Sequence, residues 1–355
     1  MTTKGMDSCL RRNDKIKVKM FDSIFGHERQ LEVLRRNIKS GQMPPAYLFH
    51  GEDGIGKRMA ALEIAQAVNC AGDMFGEVPC GSCQSCRNVS SGCHPNVRVV
   101  GLEPNPDTGK MRQEIVIDQV QSAQDFLSLK SVGEGRKVLI VDGAHLMNAS
   151  TSNAFLKTLE EPPDNSHIIL ITSRPSFLLP TILSRCRAIA FQPPSEGLVA
   201  RILMEKKGLP EEEALLVARM TGGRVGEALE ADPKDLAERR GDFLKTLANV
   251  ASSGPSGILG TAEAAAKEGG LEEFVFFGNM WFRDLLVILV GGGPDLTYNK
   301  DILEELSRWA GGMTAYRCGE ALGMLKALSR ALGHTYNRRL LAEDLFFRLK
   351  EEVLA

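Results

Sequence analysis

The segment Gly51-Glu52-Asp53-Gly54-Ile55-Gly56-Lys57 carries the G-x-x-x-x-G-K spacing of a phosphate-binding loop. It lies between an apolar run, Ala46-Tyr47-Leu48-Phe49, and a helical pattern from about Arg58 to Asn69. In that setting the glycines let successive backbone N–H groups turn toward phosphate oxygens, and Lys57 reaches the outer phosphates. The next residue should be Ser or Thr, whose hydroxyl ligates Mg²⁺. Here it is Arg58, a guanidinium with no acceptor that repels the metal. The other half of such a site is an apolar strand ending in a metal-binding Asp, supplied by Val138-Leu139-Ile140-Val141-Asp142. Gly143 then stands where an ATPase of this class has the Glu that activates water. Hydrolysis needs metal, positioned water and charge stabilisation together. The residues therefore predict a site that does not turn over ATP, and they leave nucleotide binding open.

Cys80, Cys83 and Cys86 sit at i, i+3 and i+6, and Cys70 closes the helical pattern after the loop. Three thiolates on tight turns and a fourth from a helix end suit tetrahedral Zn²⁺, filling all four positions. A site so closed leaves no place for water and is structural. Redox-active or spare thiols are the alternative. Cys93 and His94 are rival ligands, while Cys9 and Cys318 have no evident partners.

From Ala46 to Phe191, short apolar runs alternate with helical patterns, which implies a parallel sheet with helices on both sides. Lys137–Val141 and His167–Thr172 read as strands buried on both faces. Ile115-Val116-Ile117 reads as another, with Asp118 placed to cap a helix and Gln121 three residues on. Asn148–Glu161 reads as a helix ended by Pro162-Pro163. Pro193-Pro194 marks a boundary before a small helical unit, and from about Arg240 the pattern is nearly all helical.

A chain of 355 residues suggests two or three domains. The net charge of −2 lacks the strong positive balance of a protein that grips DNA alone, so any nucleic-acid contact is expected to be local or shared. Residues 1–20 contain no apolar core of a signal peptide. Phe274–Val290 is interrupted by Gly278, Asn279, Arg283 and Asp284 and reads as a buried helix, so a cytoplasmic protein with reduced or metal-bound thiols is expected. Residues 1–19 are basic and read as a disordered, solvated tail, with Met20 a rival start and an arm touching DNA the functional alternative.

Three segments resemble a known family. Asn153-Ala154-Phe155-Leu156-Lys157-Thr158-Leu159-Glu160-Glu161-Pro162-Pro163 resembles the stretch after the Asp-bearing strand of bacterial clamp-loader subunits. Leu179-Pro180-Thr181-Ile182-Leu183-Ser184-Arg185-Cys186 resembles their Ser-Arg-Cys signature, and Phe21–Gly51 their adenine-side segment. Phe282-Arg283-Asp284-Leu285-Leu286 is a looser match in the C-terminal region. The resemblance implies an α/β fold of the AAA+ type over 20–192 with a zinc module inserted at about 70–96. A small helical lid over 193–239 and an all-α collar over 240–355 would follow.

The family holds a working ATPase branch, gamma/tau, with Lys-Thr or Lys-Ser and an Asp-Glu pair. It also holds a delta-prime branch degraded at those positions, and Arg58 and Gly143 resemble the latter. Membership implies partners: gamma/tau and delta subunits in a hetero-pentamer, and through them the sliding clamp and primer-template DNA. It implies that Arg185 is an arginine finger offered to a neighbour's ATP. The same cysteine spacing recurs in the family's zinc module, and its His-Pro-Asp-Val segment, matched by His94-Pro95-Asn96-Val97, places no ligand at His94. Arg224 is out of register with the family's nucleotide-sensing Arg, which counts against sensing in cis. Competing readings are an active gamma/tau-type motor and a free-standing nucleotide switch. Phe274, Phe277, Trp281 and Leu285 are expected in the collar, unless they form a private core.

Overall fold

The computed structural model describes residues 20–21, 24–72, 79–106, 108–267, 269–332 and 336–354. The basic segment 1–19 and Cys9 lie outside them. The described chain falls into two compact units. One runs to Leu198 and includes Gly223–Gly226. The other comprises Val199–Gly222 and Glu227 onward. Of the segment expected as a lid, 193–198 and 223–226 fall in the first unit and the rest in the second.

In the first unit five strands form one sheet: β1 (Ala46–His50), β2 (Val97–Val100), β3 (Lys137–Asp142), β4 (Ser166–Thr172) and β5 (Arg187–Ala190). Their order is β2-β3-β4-β1-β5, and every pairing is parallel. Parallel strands need crossovers. These are provided by α2 (Lys57–Asn69), α3 (Gln84–Ser90), α4 (Ile117–Ser128), α5 (Ala149–Glu160) and the short α6 (Pro180–Leu183), while α1 (Glu28–Lys39) precedes β1. Alternate residues serve opposite faces, as the two-residue period requires. Tyr47, Phe49, Val138, Ile140, Ile169 and Ile171 pack with Ala60, Ala61 and Ile64 of α2. Leu48, Leu139, Val141, Ile168 and Leu170 pack with Val120 and Leu127 of α4 and Phe155 of α5.

Asn148 caps α5, its side chain accepting from Thr151 N at 3.0 Å. At 115–117 the expected strand is absent. Ile115 makes only an isolated bridge to Met147, and α4 already begins at Ile117. The cap differs too: the Gln119 side chain reaches back to accept from Val116 N at 3.0 Å, taking the role expected of Asp118 and Gln121.

The second unit is helical, built from most of α7 (Glu196–Lys207) and of α9 (Val225–Glu230), with α8 (Glu211–Met220), α10 (Pro233–Ser252), α11 (Pro255–Ala265), α12 (Gly270–Leu289), α13 (Leu303–Ala310), α14 (Ala315–Ala331) and α15 (Arg338–Arg348). At its centre is α12, where Gly278 lets Leu325 of α14 approach so closely that an added Cβ would sit 2.9 Å from Leu325 Cδ1. Phe274, Phe277, Trp281 and Leu285 are buried in this unit's own interior, with the Phe243 ring tilted against Phe274 and the Phe346 ring edge-on to it. They are core residues here, and any collar contact must use other surface. No helix among the described residues is long and apolar enough to cross a membrane.

Candidate functional site

The parallel sheet brings the carboxyl ends of its strands to one edge, the edge where open α/β sheets place their ligands. Gly51 follows β1, Asp142 ends β3 and Thr172 ends β4. Gly51, Gly54 and Gly56 have φ of 144°, 76° and 100°, conformations that favour glycine. A Cβ on Gly51 would lie 2.1 Å from the Phe191 carbonyl oxygen, so that position is closed to any side chain.

Lys57 is 5% exposed and folds back into the loop. Its Nζ donates to Gly51 O at 2.6 Å and to Glu52 O, with Asp53 Oδ1 at 3.5 Å. Burial lowers its pKa, and Asp53 opposes the shift. Arg58 points across to the end of β3, where Nη1 lies 3.4 Å from Asp142 Oδ2. The guanidinium thus pairs with the carboxylate that the sequence reading expected to bind metal. Gly143 has φ of 81°, and a Cβ there would meet Leu146 Cδ1 at 2.9 Å.

Three further residues at this site escaped the sequence reading or were discounted by it. His27 is 1% exposed, and a ring nitrogen, Nε2, donates to Ile55 O at 2.8 Å, tying the preceding segment to the loop. Its Nδ1 has no partner among the described residues, and burial lowers its pKa. His145 Nδ1 lies 3.1 Å from Thr172 Oγ1. Because Thr172 Oγ1 accepts from Arg174 N at 3.0 Å, its hydrogen is free to go to His145. Arg224, though out of motif register, lays its side-chain carbons against Gly54. A buried His on a loop carbonyl and a Thr at a strand end carry no spacing signal, so only the fold reveals them.

The four sulfurs of Cys70, Cys80, Cys83 and Cys86 lie within 4.8 Å of one another, a cluster able to hold a metal ion. Backbone amides point at the sulfurs: Cys83 N to Cys80 Sγ at 3.3 Å, Cys86 N to Cys83 Sγ at 3.4 Å, and Gly72 N to Cys70 Sγ at 3.4 Å. Such donors favour thiolates. Burial pushes the Cys80 thiol up, but hydrogen bonds from Ser82, Cys83 and Cys70 bring it down to about 6. Burial raises Cys86. Cys93 is exposed and hydrogen-bonds Ser91 O instead. His94 is occupied elsewhere: Nδ1 accepts from Asn96 N at 3.1 Å, and Nε2 lies 2.9 Å from Ser85 Oγ.

Arg185, at the end of α6, pairs within its own chain. Nη2 lies 2.7 Å from Glu160 Oε1 and Nη1 donates to Thr181 O at 3.0 Å, with the side chain 35% exposed.

A family model described as "DNA polymerase III, delta subunit" matches residues 26–195. The delta-prime subunit of Bacillus subtilis DNA polymerase III is 30% identical over 333 residues, covering 91% of this chain and 96% of that protein. The tau subunit of the same organism is 30% identical over 230 residues, covering 63% of this chain but 39% of tau. Among solved structures, a gamma-subunit-related protein of Thermotoga maritima covers 91% of this chain at 22% identity and a TM-score of 0.46. At 30% identity the likeness to delta-prime runs nearly the full length of both chains, and this protein belongs to that family of DNA polymerase III clamp-loader subunits.

Proposed function

We propose that the protein is a largely non-hydrolysing scaffold, of AAA+ type, in a cytoplasmic clamp loader that it forms with gamma/tau and delta subunits. The observation that carries this reading is the Arg58–Asp142 pair. A cation from the chain itself occupies the carboxylate that a working site reserves for Mg²⁺, and Gly143 offers no base for water. In a hetero-pentamer its helical regions, 193–239 as a lid and 240–355 as a collar, would hold neighbouring subunits. The assembly would then open and place the sliding clamp at primer-template DNA.

Arg185 serves the next subunit's site. A planar fork that pairs with a carboxylate suits a phosphate equally well, so the guanidinium that now rests on Glu160 can pass to the γ-phosphate held by gamma/tau. There it would stabilise charge on the transferred group. Cys70, Cys80, Cys83 and Cys86 would hold Zn²⁺, which supplies a cross-link and no chemistry.

The test is reconstitution. Purified chain alone should show no Mg²⁺-dependent ATP turnover, and its addition to gamma/tau and delta should restore DNA-stimulated clamp loading. Turnover by the isolated chain at the gamma/tau rate would replace this reading with that of an active motor.

A further inference from the structure

We propose that the phosphate loop binds a nucleoside polyphosphate without a divalent metal, with Arg58 as its built-in counter-cation. The inference rests on the non-hydrolysing reading above and assigns that site a ligand class and an ionic requirement.

The loop is shaped for an anion. Three glycines with positive φ curl the backbone. Among the described residues, the N–H groups of Asp53, Gly54, Ile55 and Gly56 have no backbone acceptor. Consecutive free amides at the start of a 13-residue helix, α2, form the concave donor set that phosphate oxygens fill. Lys57 stands at the loop's edge with three donors, engaged on Gly51 O, Glu52 O and Asp53, and can turn them to an incoming phosphate.

In a metal-dependent site, Mg²⁺ shields the phosphates from the strand-end carboxylate. Here Arg58 does so. Its Nη1 is 3.4 Å from Asp142 Oδ2, and the side chain is 61% exposed, with no other partner among the described residues. Five N–H donors in one plane let a guanidinium hold Asp142 with one nitrogen and a phosphate with another. A metal ion entering would have to displace that nitrogen and then sit beside a positive charge. Arg224 adds a second guanidinium stem against Gly54. His145 lies within electrostatic reach of Asp53, Asp142, Lys57 and Arg174, and burial lowers its pKa.

The experiment titrates a fluorescent ATP analogue into the full chain, once with Mg²⁺ and once with EDTA. Unlabelled ATP and inorganic tripolyphosphate serve as competitors. The expected dissociation constants agree within about twofold in the two conditions, and tripolyphosphate displaces the probe. Arg58→Thr, at an exposed position that a melting curve will show to be folded, should lose about tenfold or more in EDTA and recover with Mg²⁺. Wild-type affinity that rises about tenfold with Mg²⁺, absence of binding in both conditions, or a probe that tripolyphosphate cannot displace overturns the proposal. Mg²⁺-dependent turnover would instead overturn the non-hydrolysing reading on which it rests.

Discussion

Arg185 and Glu160 form an ion pair of 2.7 Å between the end of α6 and the end of α5, and the Thr181 carbonyl holds the guanidinium from the other side at 3.0 Å. A partly exposed pair of this kind contributes about 0–1 kcal/mol to stability. Removing Arg185 should therefore leave folding intact while exposing any role outside the chain. Arg185→Ala is expected to melt within a degree or two of the parent. It should lower the DNA-stimulated ATPase of a reconstituted loader at the site it serves by at least about tenfold. Arg185→Lys keeps the charge but not the fork, and should not restore the rate. Full ATPase and clamp loading with Arg185→Ala would reduce the residue to its bond with Glu160.

The cysteine cluster makes a stoichiometric prediction. Purified protein should carry about one zinc per chain, and Cys80→Ser should bring this below about half an equivalent, read by metal analysis. Cys93→Ser should leave the metal content unchanged, since its sulfur lies outside the group of four. Loss of zinc on replacing Cys93 would rewrite the ligand set.

Asp284 is fully buried on α12 and gathers the chain at 298–299. Its carboxylate accepts from Tyr298 N, Asn299 N and Asn299 Nδ2 at 2.8–2.9 Å, and pairs with Arg283 at 2.8 Å. Arg283 in turn lies over the Tyr298 ring at 3.9 Å. Asp284→Ala leaves those donors without an acceptor and should cost about 3–5 kcal/mol. Both tryptophans, Trp281 and Trp309, touch edge-to-face at 6.0 Å in this unit, so urea unfolding followed by their fluorescence reads it directly. A loss below about 1 kcal/mol would show that water replaces the carboxylate without penalty.

His167 gives stability a pH dependence. Arg136 Nη1 donates to His167 Nε2 at 3.1 Å, which leaves Nδ1 to donate to Pro44 O at 3.2 Å. Burial lowers its pKa, and the Arg136 charge lowers it further, against the Pro44 bond. Unfolded, the ring takes a proton near its ordinary value of about 6.5, while the native site resists. Below that pH the unfolded state therefore binds more protons, and stability falls as pH drops through this range. Above it the contribution is constant. Denaturation curves from pH 8 to pH 5 should show the decline, and His167→Gln should flatten it. An unchanged slope would assign the effect to His27, His94 and His145, whose pKa values are also lowered.

Much of this was legible in the sequence because the signals were local. The β1–α2 junction announces itself by glycine spacing, β3 and β4 by unbroken apolar runs, and α5 by Asn148 before it and Pro162-Pro163 after it. The strands β2 and β5 have four residues each, and β5 exposes three of its four, so no buried run marks them. Ile115-Val116-Ile117 has strand composition, but a side-chain amide from Gln119 takes the Val116 N–H and starts a helix instead. Arg58 and Gly143 stand out singly as departures. That Arg58 reaches Asp142 depends on β4 lying between β1 and β3, a matter of strand order that no local spacing encodes.

The left-handed backbone at Gly143 also limits what can be engineered there. At that position L side chains are strained and a Cβ would press on Leu146. A glutamate installed after Asp142 would meet a chain already bent to a shape it resists, so a carboxylate could be added at this turn only at a cost in backbone strain.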